Sequence, residues 1–198
     1  MTTTFRSADL TWRDAYKLLT GLVTPRPIAW VGTRSADGVP NLAPYSFFNV
    51  ASADPPTILF CPQLPEGRDP KDSLANVEAT GEFTVSIVSR ELAEQIHATS
   101  EEVGPDVDEF ALGGVLPKDG DLVDAPYVSE APAAMECRLH ESIRVGAGAV
   151  VLGEVLAFHV DPRVLDGTRV LPEELDVLGR LGGPNYTTTR DIFQMVRP

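Results

Sequence analysis

Positive charge is what this sequence has least of: 16 lysines and arginines stand against 29 aspartates and glutamates, a net charge of −13 over 198 residues. No basic cluster interrupts that balance, so nucleic acid and acidic membrane surfaces are poor partners. Cysteine is nearly absent as well. Cys61 and Cys137 lie far apart, in neither a C-x-x-C nor a metal-ligand spacing, which predicts buried free thiols. The three histidines, His97, His140 and His159, are scattered and lack a carboxylate at ligand spacing, so no metal site is expected. There is no G-x-S-x-G, H-E-x-x-H, P-loop or G-x-G-x-x-G; Gly146-Ala147-Gly148 lacks the third glycine and precedes a strand instead of a helix. Nucleophilic hydrolysis and Rossmann-type nucleotide binding therefore lose their usual handles. Long apolar runs are missing too, and the N-terminal Met-Thr-Thr-Thr-Phe-Arg has no apolar h-region, so secretion and membrane insertion find no support. A cytoplasmic location is expected.

What remains is ample for a core. With 43% hydrophobic residues, no repeat and no linker, the chain reads as one domain over 1–198. Ser7 or Asp9 could cap a short helix through Trp12, Tyr16, Leu18 and Leu19 that Gly21 ends, with its apolar residues packed inward. Ile28 to Thr33 reads as a buried strand, Ala36-Asp37-Gly38 as a hairpin turn, and the returning strand starts at Val39. Further strands are predicted at Thr57–Cys61, Phe83–Val88, Ala134–Val145 and Val150–Val160, the last two joined by Gly146-Ala147-Gly148. Helices are predicted from Lys71 to Glu78, with Asp72 or Ser73 as cap and Gly81 as stop, and from Ser89 to Ala98. A Pro-rich loop precedes Pro70. From Thr99 to Ala131 the pattern loosens into a long acidic surface insertion with short elements, suited to a lid. Many short strands with few helices point to a mainly β barrel or sandwich with attached helices, not a doubly wound sheet.

Two stretches carry chemistry. Asn41-Leu-Ala-Pro-Tyr-Ser-Phe-Phe-Asn49 sets small polar side chains beside large aromatic ones, with Pro44 removing a ladder donor. It suits a planar ligand with a polar rim, although Tyr45, Phe47 and Phe48 would serve equally as core. Lys71-Asp72-Ser73 at a helix start offers an ammonium, a hydroxyl and free amides, an arrangement suited to a phosphate or, more plainly, to a capped surface helix. A flat ring with a phosphate tail would satisfy both.

These stretches carry a resemblance. Thr24-Pro-Arg-Pro-Ile-Ala-Trp-Val31, the run from Asn41 to Asn49, Asp54-Pro-Pro56, Lys71-Asp-Ser73 with Asn76, Thr80-Gly-Glu-Phe83 and Met135-Glu-Cys137 resemble the flavin reductase-like family of FMN-binding split barrels, in order and over nearly the whole chain. The resemblance implies a split Greek-key β-barrel of six or seven strands and a homodimer with its flavins near the subunit interface. It implies FMN, or alternatively FAD, as cofactor, NAD(P)H as electron donor, and small molecules as donor and acceptor. Pro44, Tyr45, Ser46, Phe47, Phe48 and Asn49 would then meet the flavin ring and ribityl chain, with Cys61 on the adjacent strand. Lys71, Asp72 and Ser73 would hold the phosphate end, and Arg26, Asn76 and Tyr186 complete the set, Tyr186 lying in a tail that closes over the flavin. The cofactor performs the chemistry in such proteins, so no acid-base residue is named. The acids from Glu101 to Glu109 argue against a strong preference for NADPH, whose extra phosphate needs a basic partner. An alternative from another class is a flavin-binding electron carrier that never meets nicotinamide.

Overall fold

The computed structural model describes residues 2–63 and 70–195, so most of the Pro-rich loop before Pro70 and the last three residues lie outside the described residues. In chain order the main elements are α1 (Trp12–Leu22), β1 (Ala29–Arg34), β2 (Pro40–Tyr45), β3 (Phe48–Ala53), β4 (Pro56–Phe60), α2 (Asp72–Thr80), β5 (Glu82–Ile87), α3 (Ala93–Ala98), α4 (Glu109–Gly113), β6 (Ala133–Val145) and β7 (Gly148–Val160). The seven strands form one antiparallel sheet in the order β2-β1-β5-β6-β7-β4-β3. This is the expected mainly β architecture, a split β-barrel with attached helices. Its two edge strands, β2 and β3, are neighbours in sequence, and Ser46 and Phe47 alone carry the chain from one edge to the other. The aromatic-polar stretch thus crosses the seam of the barrel.

Alternation along β1 sorts the protein into two cores, because successive side chains point to opposite faces of a strand. Ala29 and Val31 join Phe60, Leu74, Val77, Phe83, Val85, Cys137 and Val151 inside the barrel. Ile28 and Trp30 face outward against Leu42, Val88, Leu92, Ile96, Phe110, Val115 and Val128. The buried Trp30 indole satisfies its one donor by bonding to Thr99 Oγ1 at 2.9 Å. A hairpin of Pro117–Asp119 and Pro126–Val128 covers the outer face of β1. Gly32 permits this approach, since a Cβ there would overlap the Pro126 carbonyl.

Two sequence expectations are corrected here. The stretch 99–131 has the expected short elements but is more than a surface insertion: Phe110, Val115, Ala125, Tyr127 and Val128 are buried, and α4 and the hairpin help build the second core. Its attachment is polar as well. Glu136, fully buried, accepts hydrogen bonds from the amides of Asp121, Leu122 and Val123 and bonds His159 Nε2 at 2.6 Å. These bonds hold the Glu136 carboxyl below its ordinary range against the opposing cost of burial. Sequence spacing missed this grouping, in which ligand atoms of Asp121, Glu136 and His159 lie within 4.8 Å of one another. The carboxylate is already saturated by those four partners. The second correction concerns α1. Thr11 caps it by accepting from the Asp14 amide, the helix runs past Gly21, and Trp12, Tyr16, Leu19 and Leu22 are exposed instead of packed. Among the described residues no helix is long and apolar enough to cross a membrane.

Candidate functional site

Two clefts open beside the seam and share Pro44 and Ser100 as walls. The first, of about 360 Å³, runs from Pro44 and Tyr45 along Asn41 to Lys71, Asp72 and Ser73, and is closed by 99–105 and Glu109. Edge strand β2 has a sheet neighbour on one side only, which leaves its other side facing this space. The start of α2 reaches the cleft with no side-chain cap on Lys71, and since the Leu74 and Ala75 amides donate to the Lys71 carbonyl, those of Asp72 and Ser73 are the ones left for a ligand there. Gly81 ends the helix at φ 75°, as expected of a left-handed stop.

Ser73 does not cap α2. Its hydroxyl is buried and donates to Asn41 Oδ1 at 2.8 Å, while Thr33 Oγ1 donates to the same oxygen at 3.2 Å. The Asn41 amide nitrogen in turn donates to Glu109 Oε1 at 2.8 Å, and the Leu42 amide donates to Glu109 Oε2. Asn76, one turn along α2, donates to Thr33. The result is a buried polar chain under the floor of the cleft. Burial pushes the Glu109 carboxyl above its ordinary range and does the same to Asp72, against the pull of Lys71. Tyr45 sits in the same setting, its phenol pushed up to about 12 by burial, with Ser73 opposing and Asp72 and Glu109 reinforcing. Lys71 Nζ lies 3.0 Å from Glu102 Oε1 on the opposite wall.

The second cleft, of about 250 Å³, is walled by Tyr16, Ile28, Pro44, Ile96 and Tyr186, with Arg26, Ser46, His97, Ser100 and Arg180 as its polar groups. Arg26 is buried and works as a clamp: Nη1 donates to the carbonyls of Thr20 and Val23 at the end of α1, Nη2 to Leu181 and Nε to Ser46. Its guanidinium carbon lies 5.8 Å from the centre of the Phe47 ring. Burial and the neighbouring Arg180 both lower its pKa, burial first.

The thirteen residues expected at the site are therefore distributed unevenly. Pro44, Tyr45, Lys71, Asp72 and Ser73 line the first cleft, and Arg26, Pro44, Ser46 and Tyr186 the second. Asn76 supports the floor. Phe48 packs with Tyr45 against the barrel core, and Tyr45 contacts the Phe60 ring at 5.1 Å, so core packing claims part of the stretch. Asn49 faces solvent, and its Oδ1 accepts from the Val50 amide. Cys61 is half-buried, its amide bonded to the Phe47 carbonyl and its thiol pushed up by burial. Sequence reasoning did not select Asn41, Glu102, Glu109 or Arg180. Asn41 heads the aromatic-polar stretch and Arg180 lies in the tail that carries Tyr186, but each acquires its meaning only from partners distant in sequence.

The fold, the seam and the α2 start agree with a family model, the flavin reductase like domain, that matches residues 21–172. The chain belongs to the flavin reductase-like family. It is 42% identical to an uncharacterized protein of Deinococcus radiodurans over 92% of this chain and 84% of that one. Among solved structures it is similar to nitrilotriacetate monooxygenase component B from Bacillus cereus, with 33% identity, a TM-score of 0.95, and 98% of this chain and 99% of that one covered. It is also similar to the Pseudomonas fluorescens 2-nitrobenzoate 2-nitroreductase, with 32% identity, a TM-score of 0.90 and coverage of 99% and 96%.

Proposed function

We propose that this protein is an FMN-dependent oxidoreductase that draws electrons from NAD(P)H and delivers them to a flavin, quinone or other small acceptor, working as a homodimer. The observation that carries the reading is one groove running from Pro44 and Tyr45, at the seam end of edge strand β2, to the uncapped start of α2. The donors present fit the group in kind. Lys71 and the first amides of α2 suit a phosphate, the β2 edge, whose one outward amide (Leu42) is held by Glu109, offers carbonyl acceptors to a ring or ribityl chain, and the cleft volume lies in the range of ligand pockets. When bound, the flavin supplies a ring that accepts hydride and passes electrons on. The chain's own residues bind and orient: Lys71 neutralises the phosphate, Pro44 shapes the wall without competing for donors, and the 99–105 wall excludes water.

A second copy of the chain is the proposed partner. It is supported by the apolar stripe left uncovered on α1, where Trp12 is 74% and Leu22 79% exposed, and by exposed Val50 and Phe158 on the sheet. Sedimentation at micromolar concentration checks this, and a monomer that still holds flavin would remove the dimer.

The visible spectrum of the purified protein tests the cofactor: flavin bands should survive desalting or return on adding FMN. Anaerobic mixing with NADH or NADPH should then bleach the band. Bleaching by dithionite alone would replace the reductase reading with that of an electron carrier.

A further inference from the structure

The second cleft contains an arrangement that flavin binding leaves unexplained. Arg26 and Arg180 are directly opposite each other on paired strands, and Arg180 is opposite Tyr186 on the next. Like charges in that register cost stability, and a buried arginine is ordinarily paired with a carboxylate. Solvent can serve an exposed arginine instead, as it does Arg6, Arg13, Arg90, Arg138 and Arg169, which form no ion pair among the described residues, but it barely reaches Arg26. Arg34, Arg144, Arg163 and Arg190 each hold a carboxylate within 3 Å. Yet among the described residues no carboxylate lies within ion-pair distance of Arg26 or Arg180, in a protein with 29 acids.

The two guanidiniums have different amounts left to give. Arg26, only 6% exposed, directs four N–H bonds to Thr20, Val23, Leu181 and Ser46, so it contributes mainly field. Arg180 spends one bond on the Gly183 carbonyl and rests its guanidinium 4.4 Å from the Tyr186 ring centre. That stacking fixes the plane of the fork and leaves most of its donors to the cleft. Around them stand the rings of Tyr16 and Tyr186 and the apolar side chains of Ile28, Pro44 and Ile96, in a space of about 250 Å³. We propose that this cleft is a substrate pocket for a small ring compound bearing a carboxylate, whose carboxylate is held by Arg180 in the field of Arg26 beside the seam.

A planar fork matches a planar carboxylate in two parallel bonds, and apolar walls suit a ring better than a hydrated phosphate. The assignment rests on the flavin reading for its meaning as an acceptor or substrate site, while binding itself can be measured apart from it. Purified protein is titrated calorimetrically at low salt with benzoate, benzamide and inorganic phosphate. Benzoate should bind at least about tenfold more tightly than benzamide, the expected gain from a charge-assisted pair. Arg180→Gln should lower benzoate affinity by about tenfold without changing that of benzamide. Arg180→Lys should recover only part of the loss, because it restores charge without the fork. Equal binding of benzoate and benzamide, or indifference to Arg180→Gln with the fold intact by circular dichroism, would overturn the proposal. Tighter binding of phosphate than of benzoate would overturn it too, in favour of a nucleotide phosphate. Flavin bands that persist in a protein blind to benzoate would remove this inference and leave the flavin reading standing.

Discussion

The two clefts meet at Pro44 and Ser100 yet present opposite charge. Among the described residues the first gathers Asp72, Glu101, Glu102 and Glu109 around one lysine, and the second gathers Arg26 and Arg180 with no acid at ion-pair distance. The net charge of −13 therefore describes one cleft and misdescribes its neighbour. The difference follows from what builds each. The first is walled by the acidic 99–109 stretch brought in by α3 and α4, whereas the second is walled by a three-stranded sheet of Arg26–Pro27, Leu178–Arg180 and Tyr186–Thr188. A phosphate at the first cleft must compete with resident carboxylates, while an anion at the second meets no rival.

Lys71→Ala is the strongest way to break that contrast. If the ammonium is what makes an acidic cleft accept phosphate, the variant should lose roughly tenfold or more in FMN affinity and little in riboflavin affinity, because a charge-assisted bond is worth about 1.5–3 kcal/mol. Equal losses by fluorescence titration would place the phosphate elsewhere. Ser73→Ala should behave differently, though the two residues are neighbours. The Ser73 hydroxyl is committed to Asn41, so its removal should cost about 1 kcal/mol of folding stability and weaken both flavins alike. Urea unfolding alongside the same titrations separates the two outcomes, and a selective loss of FMN would show that Ser73 turns outward to the ligand.

A smaller effect is expected from Glu102→Gln, which removes the carboxylate partner of Lys71. The pair is half-exposed and worth at most about 1 kcal/mol, so FMN should bind up to about fivefold more tightly. Unchanged or weaker binding would mean that Glu102 positions Lys71 instead of competing for it.

The smallest effect is a pH dependence. Burial raises the Glu109 carboxyl, so the native state binds its proton more tightly than the unfolded chain does. The stability this contributes is fully present below the unfolded value of roughly 4.3 and is lost as pH rises through the higher folded value. Glu109→Gln should therefore give a lower but flatter curve of urea midpoint against pH over that window. Parallel curves for the two proteins would show that the buried carboxyl does not titrate there.

How much of this was legible in the sequence depends on the range of the interaction. Six of the seven sheet strands, the first hairpin turn and the α2 stop stand close to where alternation, Asp37-Gly38 and Gly81 put them, whereas edge strand β3 (Phe48–Ala53) was not expected. The α1 stripe shows the limit of that logic: its spacing is helical, but periodicity cannot say whether the partner surface lies in the same chain, and here Trp12 and Leu19 are uncovered. The buried part of 99–131 went unseen for a similar reason, because Phe110, Val115 and Val128 are too widely spaced among acids to register as a core segment. At the site, the residues adjacent in sequence were found and those adjacent only in space were not. Ser73 looked like a cap until Asn41 claimed its hydroxyl, and Arg26 and Arg180 become a pair only when the tail strand folds back.

The seam has a further consequence, in the order of assembly. The hairpins β1-β2, β3-β4 and β6-β7 pair strands close in sequence, whereas β1-β5, β5-β6 and β7-β4 join distant ones and carry the larger loop-closure cost. Ser46 and Phe47 link the first two hairpins, so the ligand-facing turn hangs between units that can form separately and is fixed only when β7 captures β4. Native-state hydrogen exchange should accordingly find amides around this turn opening with less free energy than those shared by β6 and β7. Uniform protection across both would mean that the barrel opens as a whole. A joint that is set last and yields first lets the protein loosen its hold on a bound ring without unfolding the sheet that carries it.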